Sequence, residues 1–213
     1  LRDRARLVHV GLLDGDAGPV SDGIKKFLNP VQQANDRLIG LINDILEIAR
    51  NDSGRIKIQV FSVNIQAAIE SVIISIAPLA AEKNITVNYQ KSAEMPLVLA
   101  DTARLREIIT NFVSNAIKYG RTGGWIKIYH ETSNSFITTH IEDNGIGIPQ
   151  KEQEKIFGKF FRSESSRIAQ IQGTGLGLFI TKELVEKMNG QAWFTSEENK
   201  GTRFSFKLPS PTS

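Results

Sequence analysis

Between Ile24 and Arg50 the apolar residues keep a rhythm that one helix cannot bury by itself. Ile24, Leu28, Val31, Asn35, Leu38, Ile42, Ile45 and Ala49 stand alternately four and three positions apart, which is a heptad seam. Phe27, Ala34, Leu41 and Ile48 widen the seam into the broad face of a multi-helix bundle. Only the stretch Leu1 to Leu13 precedes it as a helical partner, so the pattern predicts a homodimer through Ile24–Arg50 with an incomplete first helix. A core helix of a single domain is the plainer alternative. Pro30 falls inside the pattern, where it removes a hydrogen bond and crowds the preceding turn. Asn29 and Pro30 suit an N-cap and a first helical position, which would start the regular helix there. The segment from Leu12 to Asp22, rich in glycine, proline and acids, reads as the loop before it.

Beyond Asn51 to Arg55 the pattern changes to alternating strands and helices. Ile56, Ile58 and Val60 alternate as a strand, and Asn64 to Glu82 is helical with an internal Pro78. Ile85–Tyr89 and Leu97–Ala100 are short strands. Asp101 and Thr102 cap a helix whose buried stripe is Leu105, Ile108, Ile109, Phe112, Val113 and Ala116. "WIKIYHE" and "SFITTHIEDNG" read as adjacent strands, and "QAWFTSE" and "TRFSFKLP" as a final pair around "NKG". Helices segregated from a mostly antiparallel sheet predict an α+β fold, a two-layer α/β sandwich at residues 54–213 behind a helical dimerisation segment at residues 1–53.

Composition narrows the functions available. Twenty-six Lys and Arg against 23 Asp and Glu, with no arginine-rich tract, argue against nucleic acid as a partner. The absence of cysteine rules out disulfides and thiolate metal sites, and the three scattered histidines lack zinc-site spacing. No apolar run is expected to span a bilayer, and "LRDRARLVHV" is no secretory signal. A cytoplasmic location follows as the expectation, either for the chain alone or as the cytoplasmic part of a larger membrane-bound sensor.

Four polar or glycine-rich clusters interrupt the apolar framework. Asn111 and Asn115 share a helix face, with Lys118 and Tyr119 one turn later. "EDNGIGIP" ends a strand with Asp143 and the alternate glycines Gly145 and Gly147. "IFGKFFR", Ile156 to Arg162, is aromatic and basic. "GTGLG", Gly173 to Gly177, feeds glycines straight into an amphipathic helix that ends at Asn189-Gly190. Singly, each has a plain reading: a solvated Asn pair, a common turn, a docking helix, a glycine turn. Jointly they supply what a Mg-nucleotide needs. Amide oxygens suit Mg²⁺. Glycine backbone at a helix N-terminus suits phosphate, and Lys and Arg neutralise it. A strand-end Asp accepts from an exocyclic amine while an aromatic ring stacks on the base.

In order and spacing these clusters resemble the N, G1, F and G2 boxes of sensor histidine kinases. Those kinases belong to the superfamily of DNA gyrase, the ninety-kilodalton heat-shock chaperone and MutL. The likeness extends from about Ile24 to Pro209. It implies a protein-histidine kinase with ATP and Mg²⁺ as cofactors and a response regulator as partner. It further implies that Asn115, with Asn111 nearby, holds the metal; that Lys118 reaches a phosphate; and that Tyr119 lines the adenine pocket. Asp143 would accept from the adenine amino group, and Arg162 would meet the terminal phosphate. Gly145, Gly147 and the run Gly173, Thr174, Gly175, Leu176 and Gly177 would hinge and floor a lid spanning Pro149 to Gln172.

The likeness breaks at the phosphoacceptor. The family carries its histidine in a motif like Ser-His-Glu-Leu-Arg-Thr-Pro-Leu on the first bundle helix. Here His9 has no acid after it and no Thr-Pro downstream, and it stands five residues before Asp14. His9 is therefore a weak acceptor candidate, and the catalytic nucleophile is left unassigned. Two other readings compete: a dimeric nucleotide-binding regulatory module without phosphotransfer, and a protein-serine kinase of the anti-sigma-factor type. The long seam argues against the latter.

Overall fold

The computed structural model describes residues 21–52, 58–133, 135–163 and 173–211. His9, Ile56 and the lid residues 164–172 lie outside them. The chain divides into two compact units, Leu1–Asp52 and Ser53–Ser213.

The described part of the first unit is one helix, α1 (Asp22–Asp52), which runs through Pro30. A start at Pro30 is thereby corrected. Ser21 caps the helix a full two turns earlier, its carbonyl accepting from Ile24 N at 2.9 Å and its hydroxyl at 3.4 Å. The turn is nucleated before the proline is reached, so Pro30 sits where the cost is local. Ile24, Phe27, Val31, Leu38 and Ile42 are exposed along α1.

The second unit opens with β1 (Phe61–Val63), followed by α2 (Ile65–Glu82), β2 (Thr86–Tyr89), β3 (Val98–Ala100) and α3 (Thr102–Tyr119). Then come β4 (Trp125–Thr132), β5 (Phe136–Asp143), the short α4 (Gln150–Gln153), α5 (Gly177–Lys187), β6 (Gln191–Glu197) and β7 (Gly201–Pro209). The strand expected around Ile58 and Val60 is displaced to Phe61–Val63, because only that segment finds a partner, pairing antiparallel with Val98–Ala100. The main sheet has the order β2-β4-β5-β7-β6, and only its β2–β4 pair is parallel. Helices α2, α3 and α5 lie side by side against one face of this sheet, as a two-layer sandwich requires.

Helix α3 is the centre of the core. Its six expected apolar positions are all buried, and Phe112 stacks on Phe204 and Phe206 at ring distances of 5.1 and 6.0 Å. Burial of such side chains stabilises the fold by about 1.5–3 kcal/mol each. Asp101 Oδ1 caps the helix by accepting from Ala103 N and Arg104 N. By length and composition alone, helix α2 is apolar enough to cross a bilayer. Its apolar face is that of a core helix, with Ile65, Ile69, Val72 and Ile76 buried.

Candidate functional site

The C-terminal end of α3, the β5–α4 turn and the N-terminus of α5 meet around one cleft with two lobes. The first lobe, of about 640 Å³, is mostly apolar and has Asp143 in its wall with Tyr119, Ile148, Phe161 and Leu178. The second, of about 710 Å³, is polar and holds Asn111, Lys118, Gly173, Thr174, Gly175 and Gly177. Asn115, Tyr119 and Arg162 line both lobes. The four sequence clusters therefore converge.

Asp143 is buried at the end of β5, and its Oδ1 accepts from Gly145 N at 2.8 Å. Burial pushes its carboxyl up to about 6, against the hydrogen bonds from the Gly145 and Thr202 backbones, with Glu142 adding to the rise. A carboxylate so placed needs a donor from a ligand to be comfortable when ionised. The turn beyond it is stitched to α3: Ile146 N donates to Tyr119 O at 3.2 Å. Gly147 has φ +66°, and a Cβ there would lie 2.0 Å from Glu197 O. Only glycine fits this bend.

On α3, Asn115 Nδ2 donates to Asn111 Oδ1 at 3.4 Å, and Asn111 Nδ2 donates to Thr181 Oγ1 on α5. These bonds commit the amide nitrogens and keep the Asn115 oxygen available to a cation. Lys118 Nζ stands 5.0 Å over the Tyr119 ring and so near Gly173 that a Cβ there would meet it at 2.5 Å. Burial, and then Arg162, lower the Lys118 ammonium to about 8. Both effects are relieved by an anion between Lys118 and Arg162. Helix α5 starts without a side-chain cap on its first turn, so its N–H groups are open to such an anion.

Two expected site residues stand outside the cleft lining. Gly145 acts through its N–H on Asp143, and Leu176 is fully buried in the core. Several lining residues were not anticipated: Ile148, Glu152, Leu178, Thr202 and Phe204. Ile148 lies inside the turn after β5, Glu152 inside the expected lid, Leu178 next to Gly177, and Thr202 and Phe204 on β7; none was singled out as a site residue. Phe161 belongs to the aromatic cluster. His130 and His140, set aside in the sequence, sit in β4 and β5, away from the cleft lining.

Mg²⁺ fits this donor set in one manner only. Among the described residues, no acid lines the polar lobe and no group of three or more His, Asp or Glu could hold a metal. The protein thus offers an amide oxygen rather than a cage. That suits an ion whose other ligands are phosphate and water.

Residues 100–212 match the family described as "Histidine kinase-, DNA gyrase B-, and HSP90-like ATPase". The chain belongs to this ATPase family. Among curated relatives of this ATPase, the signal transduction histidine-protein kinase BarA of Escherichia coli is 31% identical over 189 residues, covering 86% of this chain and 21% of BarA. The sensor histidine kinase WalK of Bacillus subtilis is 32% identical over 186 residues, covering 86% of this chain and 30% of WalK. The chain thus spans less than a third of either relative's length. Full-length ShkA in complex with AMPPNP shares the fold with a TM-score of 0.77 at 26% identity, over 100% of this chain and 45% of that one. Residues 100–212, within the second unit, are an ATPase domain of the histidine-kinase type.

Proposed function

We propose that this chain is the ATP-binding catalytic portion of a two-component sensor histidine kinase. The observation that carries the reading is the single cleft with Asp143 at an apolar end and Asn115, Lys118 and the open N-terminus of α5 at a polar end. Adenine enters the apolar lobe with its amino group on Asp143 and a face on Tyr119. The phosphates lie over Gly173–Gly177, with Lys118 and Arg162 against their charge. Mg²⁺ on Asn115, when bound, neutralises charge on the phosphates. In the transfer, the bond from the γ-phosphorus to the bridging oxygen breaks, a phosphorus–nitrogen bond to a histidine forms, and ADP leaves. The chain's own contribution is positioning and charge stabilisation.

The exposed apolar face of α1 supports a homodimer through Ile24–Arg50, making residues 1–53 the dimerisation segment and residues 54–213 the catalytic domain. Kinship with sensor kinases supports a response regulator as the receiver of the phosphoryl group and a cytoplasmic position. The acceptor histidine is not assigned among these residues, and it reaches the cleft either from a further part of the same protein or from another chain. A nucleotide-binding regulatory module without transfer is the second reading, favoured by the missing acid after His9. The test is calorimetry with Mg-ATP on the wild type, Asp143→Asn and Asn115→Ala. Loss of one charged hydrogen bond should weaken binding by about 1.5–3 kcal/mol. Unaltered affinity in Asp143→Asn would remove the adenine contact.

A further inference from the structure

Ser196, on β6, lines neither lobe of the cleft, yet its hydroxyl joins two residues that do. Ser196 Oγ accepts from Ile148 N at 2.8 Å, donates to Gly201 O at 3.0 Å and stands 2.9 Å from Thr202 Oγ1. Ile148 and Thr202 both line the apolar lobe with Asp143, and Thr202 is the β7 partner of Asp143 in the strand register. The carbonyl of Ser196 accepts from Gln153 Nε2 at 3.1 Å, and the same nitrogen donates to Ile148 O at 3.0 Å. Helix α4 is thereby fastened to β6 at the same point. The β6–β7 turn is held to the turn after β5 independently of this hydroxyl, because Asn199 N donates to Ile146 O at 2.7 Å. Loss of the Ser196 hydroxyl alone would leave that second attachment in place.

A serine hydroxyl has one hydrogen and two lone pairs. With the hydrogen on Gly201 O, one lone pair takes Ile148 N–H and the other takes the hydroxyl of Thr202. This arrangement satisfies every neighbour, and it spends the hydrogen of Thr202 on Ser196. What Thr202 can then offer the lobe is lone pairs alone. Ionised Asp143 beside it is likewise only an acceptor. Two acceptors on neighbouring strands favour a base edge that carries an amino group and repel one that carries a carbonyl.

We propose that Ser196 is a positioning residue for base selection: by orienting the Thr202 hydroxyl and holding the Ile148 backbone, it makes the apolar lobe prefer a 6-amino purine to a 6-oxo purine. The proposal rests on the nucleotide-binding reading above and deepens it.

The test compares ATP, by calorimetry, with inosine triphosphate, by displacement of ATP, on the wild type, Ser196→Ala, Thr202→Val and the double variant. Ser196→Ala should narrow the ratio of the two affinities roughly two- to tenfold, the worth of one hydrogen bond. In the Thr202→Val background the same substitution should leave the ratio unchanged, since the effect travels through that hydroxyl. A lowered thermal midpoint with the wild-type ratio would show a merely structural hydroxyl and overturn the proposal. Equal weakening of both nucleotides would overturn it too, as would an undiminished effect in the Thr202→Val background. If Ser196→Ala does not fold, Ser196→Cys, of similar size but a weaker hydrogen-bonding group, decides by the same comparisons. Asp143→Asn separates the two readings. If it weakens ATP while Ser196→Ala keeps the wild-type ratio, only the proposal fails. If the wild type binds ATP and Asp143→Asn is unaffected, the base does not occupy this lobe and both fail.

Discussion

Lys83 Nζ donates to the carbonyl oxygen of Lys118 at 2.7 Å, and to that of Ile117 at 2.9 Å. A cation thus closes the end of α3 where its carbonyls lack helical partners and the dipole is negative. The carbonyl it holds belongs to the residue whose own ammonium faces the polar lobe. Fold and site meet in one side chain.

Lys83→Met should therefore lower the thermal midpoint and weaken ATP binding together. Losing charged hydrogen bonds at a partly exposed helix end should cost about 1–2 kcal/mol of stability. Lys83→Arg should restore much of both. Scanning calorimetry with a nucleotide titration checks this, and a variant that unfolds and binds like the wild type would contradict it.

Asp143 makes the free domain sensitive to pH in an unusual direction. Its folded value of about 6 lies above the ordinary carboxylate range. Between about pH 4 and 6 the folded state then binds more protons than the unfolded chain. Its contribution to stability is present at low pH, falls as pH rises through that window, and is flat above it. Asp143→Asn should remove this slope and raise the midpoint of the nucleotide-free domain at pH 7.5. The readout is the difference between wild type and variant at pH 4.5 and 7.5. The same titration opposes binding: ATP affinity should fall about tenfold per pH unit below 6, and the Asp143→Asn profile should lack that step.

Gly147→Ala should be severely destabilising. A side chain at φ +66° is strained, and its Cβ would overlap the Glu197 carbonyl at 2.0 Å. A loss of roughly 2 kcal/mol or more is expected. Denaturant unfolding measures it, and a loss below half of that would show that the turn relaxes.

Leu38→Asp places a charge in the exposed apolar face of α1. Sedimentation should show a wild-type dimer and a monomeric variant. A wild-type monomer at high concentration would sink the bundle interface.

With labelled ATP and Mg²⁺, the chain should gain no acid-labile phosphate, and His9→Gln should behave alike. Strong labelling abolished by that substitution would restore His9 as the acceptor.

The helices and the box residues were legible because each leaves a local mark. Asp101 announces the start of α3, and an apolar stripe of period 3.6 announces its buried face. Asn111, Asn115 and Asp143 could be singled out because polar residues interrupt apolar runs. Other features carry no such mark. Phe61 to Val63 form a strand only because Val98 to Ala100 lie beside them, whereas Ile58 and Val60 show better alternation and pair with nothing in the described sheets. Helix α1 passes through Pro30 because Ser21 caps it upstream. Glu152 looks like any surface acid until α4 is fastened to β6.

The pairing of Ile141 with Phe204 and of Asp143 with Thr202 joins β5 to the last strand across the whole cleft-forming stretch. Strand pairs so distant along the chain form late, because the intervening segment must first be closed into a loop. During synthesis, a nascent chain that stops short of Gly201 has its β4–β5 hairpin but no β7 to complete the sheet. ATP therefore cannot assist the early stages of folding. Thr202 and Phe204 join the cleft wall only with this strand, so a chain ended before Gly201 is expected to bind no nucleotide.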